Sequence, residues 1–470
     1  MQKMNKLKLN RDFTEGPIFT RTLYFVIPII LTGMLQIIYN MADTIIVGRF
    51  SGDEFALAAV GSTSTMVGLW TNVTVAISAG AGVLVAQKFG ARDDEAVSRS
   101  THTAMAFSLI YAALATAIAL IITKPALLLM GTKKEYFDKS VLYMLIICLG
   151  IPADSIYNFT SSVLRAVGDS KTSLYALATS GILNVALNLL FVIVFNMSVV
   201  GVALATLIAK YISALWVVTV IVKRKRVSYR LSPKRLRLDR ESTLKILHEG
   251  LPIAFQALLF NFAALIFTVA TNTFDISVVT ARAVSAQFEG ILYTAMSAFG
   301  IAAMTFIGQN YGAGRATRIN KSFLYTLIQV VVISVSLGQL LRLFEVEISG
   351  LFMADDVADR EAVIEAVRKM NAVMLNYIFT CGILEVLSGA LKALGASLLS
   401  LIGCVFGIAV RVVWLLVILP IPSFHTIFNL CISYIICWTI SIAVLLVFCF
   451  YVWKKLGIFK MAREEKAEKL

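Results

Sequence analysis

Long stretches almost free of polar residues alternate with short polar segments along the whole chain. A helix that crosses the hydrocarbon of a bilayer needs roughly 20 mostly apolar residues. Twelve such runs can be placed, six in each half. The first half supplies 23–47, 56–83, 104–122, 142–164, 174–195 and 199–222, and the second 253–270, 281–307, 323–341, 371–391, 398–419 and 427–453. The glycines and prolines inside these runs are compatible with membrane helices, because neighbouring helices re-satisfy the backbone groups they free.

The halves echo one another. Gln87-Lys88-Phe89-Gly90-Ala91-Arg92 returns as Gln309-Asn310-Tyr311-Gly312-Ala313-Gly314-Arg315, with the two glutamines 222 positions apart. Leu164-Arg165-Ala166-Val167-Gly168-Asp169-Ser170 returns as Leu391-Lys392-Ala393-Leu394-Gly395-Ala396-Ser397, 227 positions on, and Pro28 and Pro252 differ by 224. A chance match does not hold its register three times. Duplicated halves with sites near the midplane are a usual build of secondary transporters. The pattern therefore predicts an all-α membrane protein of twelve transmembrane helices in two homologous six-helix lobes. Residues 1–222 form the first lobe, 223–248 a basic linker, 249–456 the second lobe and 457–470 a tail.

Composition excludes a soluble protein, since 59% of the 470 residues are hydrophobic and only 15% charged. The basic cluster Lys223, Arg224, Lys225, Arg226, Arg230, Lys234, Arg235, Arg237 and Arg240 places the linker in the cytoplasm. Counting spans from it puts Lys88, Arg92, Arg99, Arg165, Lys171, Arg315, Arg318, Lys321, Lys392 and both termini on the same side. Lys124, Lys133, Lys134 and Lys139 dissent on the outside, where the acidic stretch 345–365 restores the bias. The net charge of +14 then reads as topogenic, facing anionic headgroups of the plasma membrane rather than nucleic acid. The first apolar run follows a polar stretch and is too long for the apolar core of a signal peptide, so it reads as the first span.

Nothing suggests an enzyme or a cofactor. Cys148, Cys381, Cys404, Cys431, Cys437 and Cys449 fall in apolar runs without a CxxC pair. His102, His248 and His425 form no zinc, haem or triad pattern. No GxxxxGK[ST] loop occurs, so uphill transport would draw on an ion gradient.

Ionisable groups are costly in hydrocarbon and within a span usually face a cavity or a partner. Asp43, in Tyr39-Asn40-Met41-Ala42-Asp43-Thr44, is the foremost case, with hydration or pairing to Arg49 as its plain alternative. Asn184 and Asn188 lie one helical turn apart and share a face. They either bind helices together at about 1 kcal/mol per contact or offer oxygens to a hard cation, with Thr206 adding a hydroxyl. The set is asymmetric, because Phe267 stands 224 positions after Asp43.

The duplicated halves, Ala42-Asp43-Thr44 with Val47-Gly48, Val85-Ala86-Gln87-Lys88-Phe89-Gly90-Ala91, Leu164-Arg165-Ala166-Val167-Gly168-Asp169 and Gly308-Gln309-Asn310-Tyr311-Gly312-Ala313-Gly314 together resemble the MATE family of multidrug and toxic compound extrusion transporters, across essentially all twelve spans. The resemblance implies a monomeric antiporter that exchanges H⁺ or Na⁺ for small organic, often cationic, compounds by rocking two lobes. It further implies, by analogy with the DinF-like branch, a cation-coupling set at Asp43, Asn184, Asn188 and Thr206. No metal would be tightly bound there, and a transient Na⁺ would use these four residues. Asn188 departs from that branch, which has a carboxylate in its place, so H⁺ and Na⁺ both stay open. The second-lobe site of the NorM-like branch maps onto Phe260 and Cys381 and is lost.

Glu289, Glu385, its repeat counterpart Asn158, and Arg411 are candidates for a substrate cavity. Pairing of the acids with Arg282, Lys392 or Arg411 is the equal alternative, and Asp154 carries the same ambiguity. A lipid or lipid-linked oligosaccharide flippase of the same superfamily is the second functional reading.

Overall fold

The computed structural model describes residues 12–352 and 359–467, and all the apolar runs are helical in it. The first half forms α1 (Ile18–Phe50), α2 (Ala56–Gly90), α3 (Asp94–Leu129), α4 (Lys134–Cys148), α5 (Ile151–Ala166), α6 (Lys171–Leu189) and α7 (Ser198–Lys223). The second forms α8 (Arg240–Thr271), α9 (Ile276–Gly312), α10 (Ala316–Leu343), a short α11 (Glu345–Phe352), α12 (Arg360–Ala393), α13 (Ser397–Val413), α14 (Ile427–Lys455) and α15 (Ile458–Ala467). Eleven helical segments, two of them running on into a π-turn, are long and apolar enough to cross a membrane, and α4 with α5, bent by 42° at a short break, bring the number to twelve if the pair is one span. Part of the acidic outer stretch, at 353–358, and the chain ends at 1–11 and 468–470 lie outside the described residues.

The break between α4 and α5 has a local cause. Pro152 sits in the first turn of α5, where its missing N–H costs nothing but could not continue the ladder of α4. Helix ends repeat across the halves. Arg92 (φ 58°) and Gly314 (φ 67°) are 222 positions apart and both left-handed, and so are Gly168 (φ 82°) and Gly395 (φ 78°), 227 apart. Asp93 then caps α3, its carboxylate accepting from Ala96 N at 2.9 Å. The equivalent helix α10 has no such residue. Its free N–H groups at Ala316 and Thr317 donate instead to Glu465 of α15, at 2.8 and 3.0 Å, an anion at the positive end of a helix. Five-residue π-turns follow α6 at Leu190–Val194 and α13 at Trp414–Ile418, again 224 apart.

Two compact units emerge. One holds Ile27–Ala254 with Asp12, and the other joins Phe13–Val26 to the chain from Phe255 onward. In the first, α2 packs on α5 where Gly82 faces Ser162, and a side chain at Gly80 would collide with the backbone of Ile246 and Gly250. In the second, α9 and α12 cross with Gly389 against the backbone of Gly300, a contact open only to residues without Cβ. Side chains such as Ile121, Ile182 and Leu215 are largely exposed, as lipid-facing residues can be without cost.

Candidate functional site

In the first unit α1 lies along α6 because Tyr39 covers Gly181, where any side chain would clash with the ring. The Tyr39 hydroxyl donates to Ala178 O at 3.2 Å. One turn further along α1 comes Asp43, and one and two turns beyond Gly181 on α6 come Asn184 and Asn188. Asn188 Nδ2 donates to Asp43 Oδ1 at 2.5 Å and to Asn184 Oδ1 at 3.3 Å. Thr206 of α7 donates to Asp43 Oδ2 at 3.2 Å and accepts from Asn184 Nδ2 at 3.3 Å. Four residues drawn from three helices thus close a ring of hydrogen bonds. Ile46, Val47, Tyr143, Ile147, Val192, Val202 and Ala203 form an apolar cluster beside it, so its electrostatics act in a low dielectric. Asn188 is fully buried, and its Oδ1 has no hydrogen-bond partner.

One residue that the hydropathy reading passed over belongs to this neighbourhood. Lys210 lies one turn after Thr206 on α7, within electrostatic reach of Asp43, and its ammonium pairs with Asp154 of α5 at 2.7 Å. The rule that singles out Asp43, an ionisable residue inside an apolar run, singles out Lys210 equally. Asp154 is therefore an ion-pair partner, as one of its two readings expected. Asn158 donates to the Asp154 backbone carbonyl at 2.9 Å, within its own helix.

The second unit is built differently at the repeat positions. Phe267, the counterpart of Asp43, packs edge-on to Tyr434, the counterpart of Lys210, with centroids 4.9 Å apart. Both rings carry guanidinium groups. Arg411 lies 3.4 Å from the Tyr434 centroid and 5.2 Å from that of Phe267, and Arg282 lies 4.9 Å from Phe267. Arg282 also clasps Glu289 through two hydrogen bonds of 2.5 and 3.1 Å. Glu289 is thus paired within α9, whereas Arg411 is 2% exposed and its Nε and Nη2 have no hydrogen-bond partner among the described residues. Glu385 lies against Gly300 and accepts from the Tyr293 hydroxyl at 3.5 Å. Asp43, Asn184, Asn188 and Thr206 are brought together within the first unit; within the second, Glu289 pairs with Arg282, Glu385 meets Tyr293 and Arg411 lies over Tyr434. Among the described residues no group of three or more His, Cys, Asp or Glu could hold a metal ion.

The sequence profile of the MatE family matches residues 28–190 and 252–417, more than half of the chain and both copies of the repeat. A relative is the "Probable multidrug resistance protein YoeA" of Bacillus subtilis, 25% identical over 451 residues that make up 93% of this chain and 94% of that one. Among solved structures, a MOP superfamily transporter from Pyrococcus furiosus superposes with a TM-score of 0.86 at 18% identity, covering 96% of this chain and 98% of the other. An outward-facing multidrug resistance MATE transporter gives 0.84 at 19%, covering 95% and 98%. With a family match across both six-helix halves and the same fold as solved MATE structures, the chain belongs to the MatE family of multidrug efflux transporters.

Proposed function

We propose that this protein exports small organic compounds, cationic ones among them, in exchange for an inward-moving cation, and that the ring around Asp43 is where that cation acts. The observation that carries the reading is the ring itself. It contains a membrane-embedded carboxylate whose two oxygens receive Asn188 and Thr206, beside an amide oxygen that is buried without a partner.

The ring responds to the charge on Asp43. As a carboxylate, Asp43 accepts from the Asn188 amide and the Thr206 hydroxyl. Once protonated it becomes a donor, and Asn188, which carries both donor and acceptor on one rotatable amide, can turn its unpaired Oδ1 to receive the new O–H. A carboxylate at position 188 could not make that exchange without titrating itself. Binding of a cation thereby changes how α1, α6 and α7 are tied together. Coupling needs only that ion and drug favour different states of the protein. One monovalent cation crossing 100 mV supplies about 2.3 kcal/mol before any concentration gradient is added. The working protein is a monomer in the plasma membrane with both termini cytoplasmic.

The test is efflux of ethidium from proteoliposomes under an imposed pH gradient and then a Na⁺ gradient, with Asp43→Asn as the variant. Gradient-driven efflux that falls to the leak rate in the variant supports the reading. A variant that keeps full coupling removes Asp43 from it, and a wild type that moves no dye under either gradient sinks multidrug antiport and turns attention to lipid flipping.

A further inference from the structure

Lys210 is the unexplained charge of the first unit. Its stem lies over the break between α4 and α5, where a side chain at Gly150 would come within 3.1 Å of Lys210 Cδ. Its ammonium reaches Asp154 at 2.7 Å, on the wall of a cavity of about 10 Å³ that Trp70, Thr71, Cys148 and Asp154 also line. That volume is about what one water requires, and the Trp70 Nε1–H is buried without a partner. The other polar or titratable groups facing this region are Asp43 on α1, Tyr111 on α3, Tyr143 and Cys148 on α4, and Tyr157 on α5. The Lys210 ammonium is therefore held by Asp154 and lies within electrostatic reach of the second carboxylate, Asp43.

The geometry points to Lys210 as a resident cation that decides ion selectivity: its ammonium supplies the positive charge Na⁺ would bring, so that the Asp43 ring exchanges protons and rejects Na⁺. This deepens the reading of Asp43 as the coupling carboxylate and rests on it. Three features argue for it. Lys210 and Thr206 project from one face of α7, so the ammonium stands beside the ring yet outside its hydrogen bonds. A Na⁺ in the ring would remain a full point charge next to that ammonium at low dielectric, where repulsion between like charges is strong. A proton instead becomes part of a neutral carboxyl group. Finally, Na⁺ wants several oxygen ligands at once, but both Asp43 oxygens, Asn184 Oδ1 and the Thr206 hydroxyl already accept hydrogen bonds within the ring, whereas a proton needs a single oxygen. Lys210 touches neither ion. It is a positioning residue that acts through the field at Asp43.

The test uses the full-length protein in detergent and needs no transport. Melting midpoints are compared in NaCl and in N-methyl-D-glucamine chloride for wild type, Lys210→Met and the double variant Lys210→Met/Asp43→Asn. The expected result is no Na⁺-specific shift in wild type, a clear one in Lys210→Met, where the ring carboxylate is left without the neighbouring ammonium, and none in the double variant, where the ring has lost that carboxylate. In proteoliposomes Lys210→Met should gain Na⁺-driven ethidium efflux by about tenfold, an ordinary size for linked sites. A Na⁺-specific shift in wild type, or Na⁺-driven efflux by it, overturns the proposal, as does a folded Lys210→Met that ignores Na⁺. If Lys210→Met does not fold, the wild-type arms still decide. Because the melting readout is independent of efflux, it can fail while Asp43-dependent export stands, and the reverse.

Discussion

The two arginines beside Phe267 in the second unit, Arg411 buried and Arg282 half-buried, show how much a single partner decides. Both Arg282 and Arg411 lie over Phe267, and Arg411 over Tyr434 as well, but among the described residues Arg282 alone of the two pairs with a carboxylate. Cation–π attraction contributes roughly 0.5–2 kcal/mol, well short of the several kcal/mol that desolvating a guanidinium costs. Arg411→Met should therefore leave stability unchanged or raise it by about 1–3 kcal/mol, whereas Arg282→Met, which strands Glu289, should lower it by about 3–5 kcal/mol. Denaturation of both variants in the same micelles checks this, and a larger loss in Arg411→Met would mean that its fork has a partner in the working protein. At this scale the sequence exposes identities but not pairings. Glu289 and Arg282 lie seven positions apart on one helix, close enough to suspect, and both readings stood until the side chains were placed. That Asp43 meets α6 depends on Tyr39 over Gly181, a tertiary contact that no local pattern carries. Lys210 was legible by the same rule as Asp43, but a lone lysine in an apolar run is easily read as snorkelling toward the interface.

Among the elements, the loop after α1 is held by one acid. Asp53 accepts from Lys139 of α4 at 2.6 Å, from the Ser198 hydroxyl at the start of α7 at 2.9 Å and from Phe55 N at 3.1 Å. Burial alone would push its carboxyl up, but the Lys139 ammonium, the Ser198 hydroxyl and the Phe55 N–H outweigh it and hold the group below its ordinary value. A depressed carboxyl contributes stability above its unfolded pKa of roughly 4 and loses it as pH falls through the folded value. Asp53→Asn should thus weaken the wild type by about 1 kcal/mol at pH 7, a figure discounted because Lys139 is partly exposed. The difference between the two should shrink below pH 4 in paired thermal melts, and a constant gap would assign the effect to packing. Helix positions themselves were almost fully legible, since twelve apolar runs of span length leave no other solution. The break at Gly150 and Pro152 was not, because hydropathy runs straight through it. Nor were the π-turns at Leu190–Val194 and Trp414–Ile418, which differ from α-helix only in which carbonyl accepts.

For the whole molecule, the repeat is exact in backbone landmarks and broken in chemistry. The left-handed positions 92/314 and 168/395 and the two π-turns recur at offsets of 222 to 227, yet Asp43 corresponds to Phe267 in the repeat and Lys210 to Tyr434. An acid in the first unit and rings bearing cations in the second divide the labour that the proposed function needs. Glu385, within the long helix α12 of the second unit, has no ion pair among the described residues and accepts a long hydrogen bond from Tyr293. If ion coupling belongs to the first unit alone, Glu385 can act on the drug but not on the ion. Glu385→Gln should keep pH-gradient-driven efflux, with the KM for ethidium raised about tenfold, equivalent to roughly 1.4 kcal/mol of lost attraction, and with little change for an uncharged substrate of similar size. Asp43→Asn should abolish the gradient response for both. Efflux of the two dyes from the same proteoliposomes separates the roles: loss of both in Glu385→Gln would make it a second coupling carboxylate and return to the second half the ion chemistry that its aromatic replacements argue against.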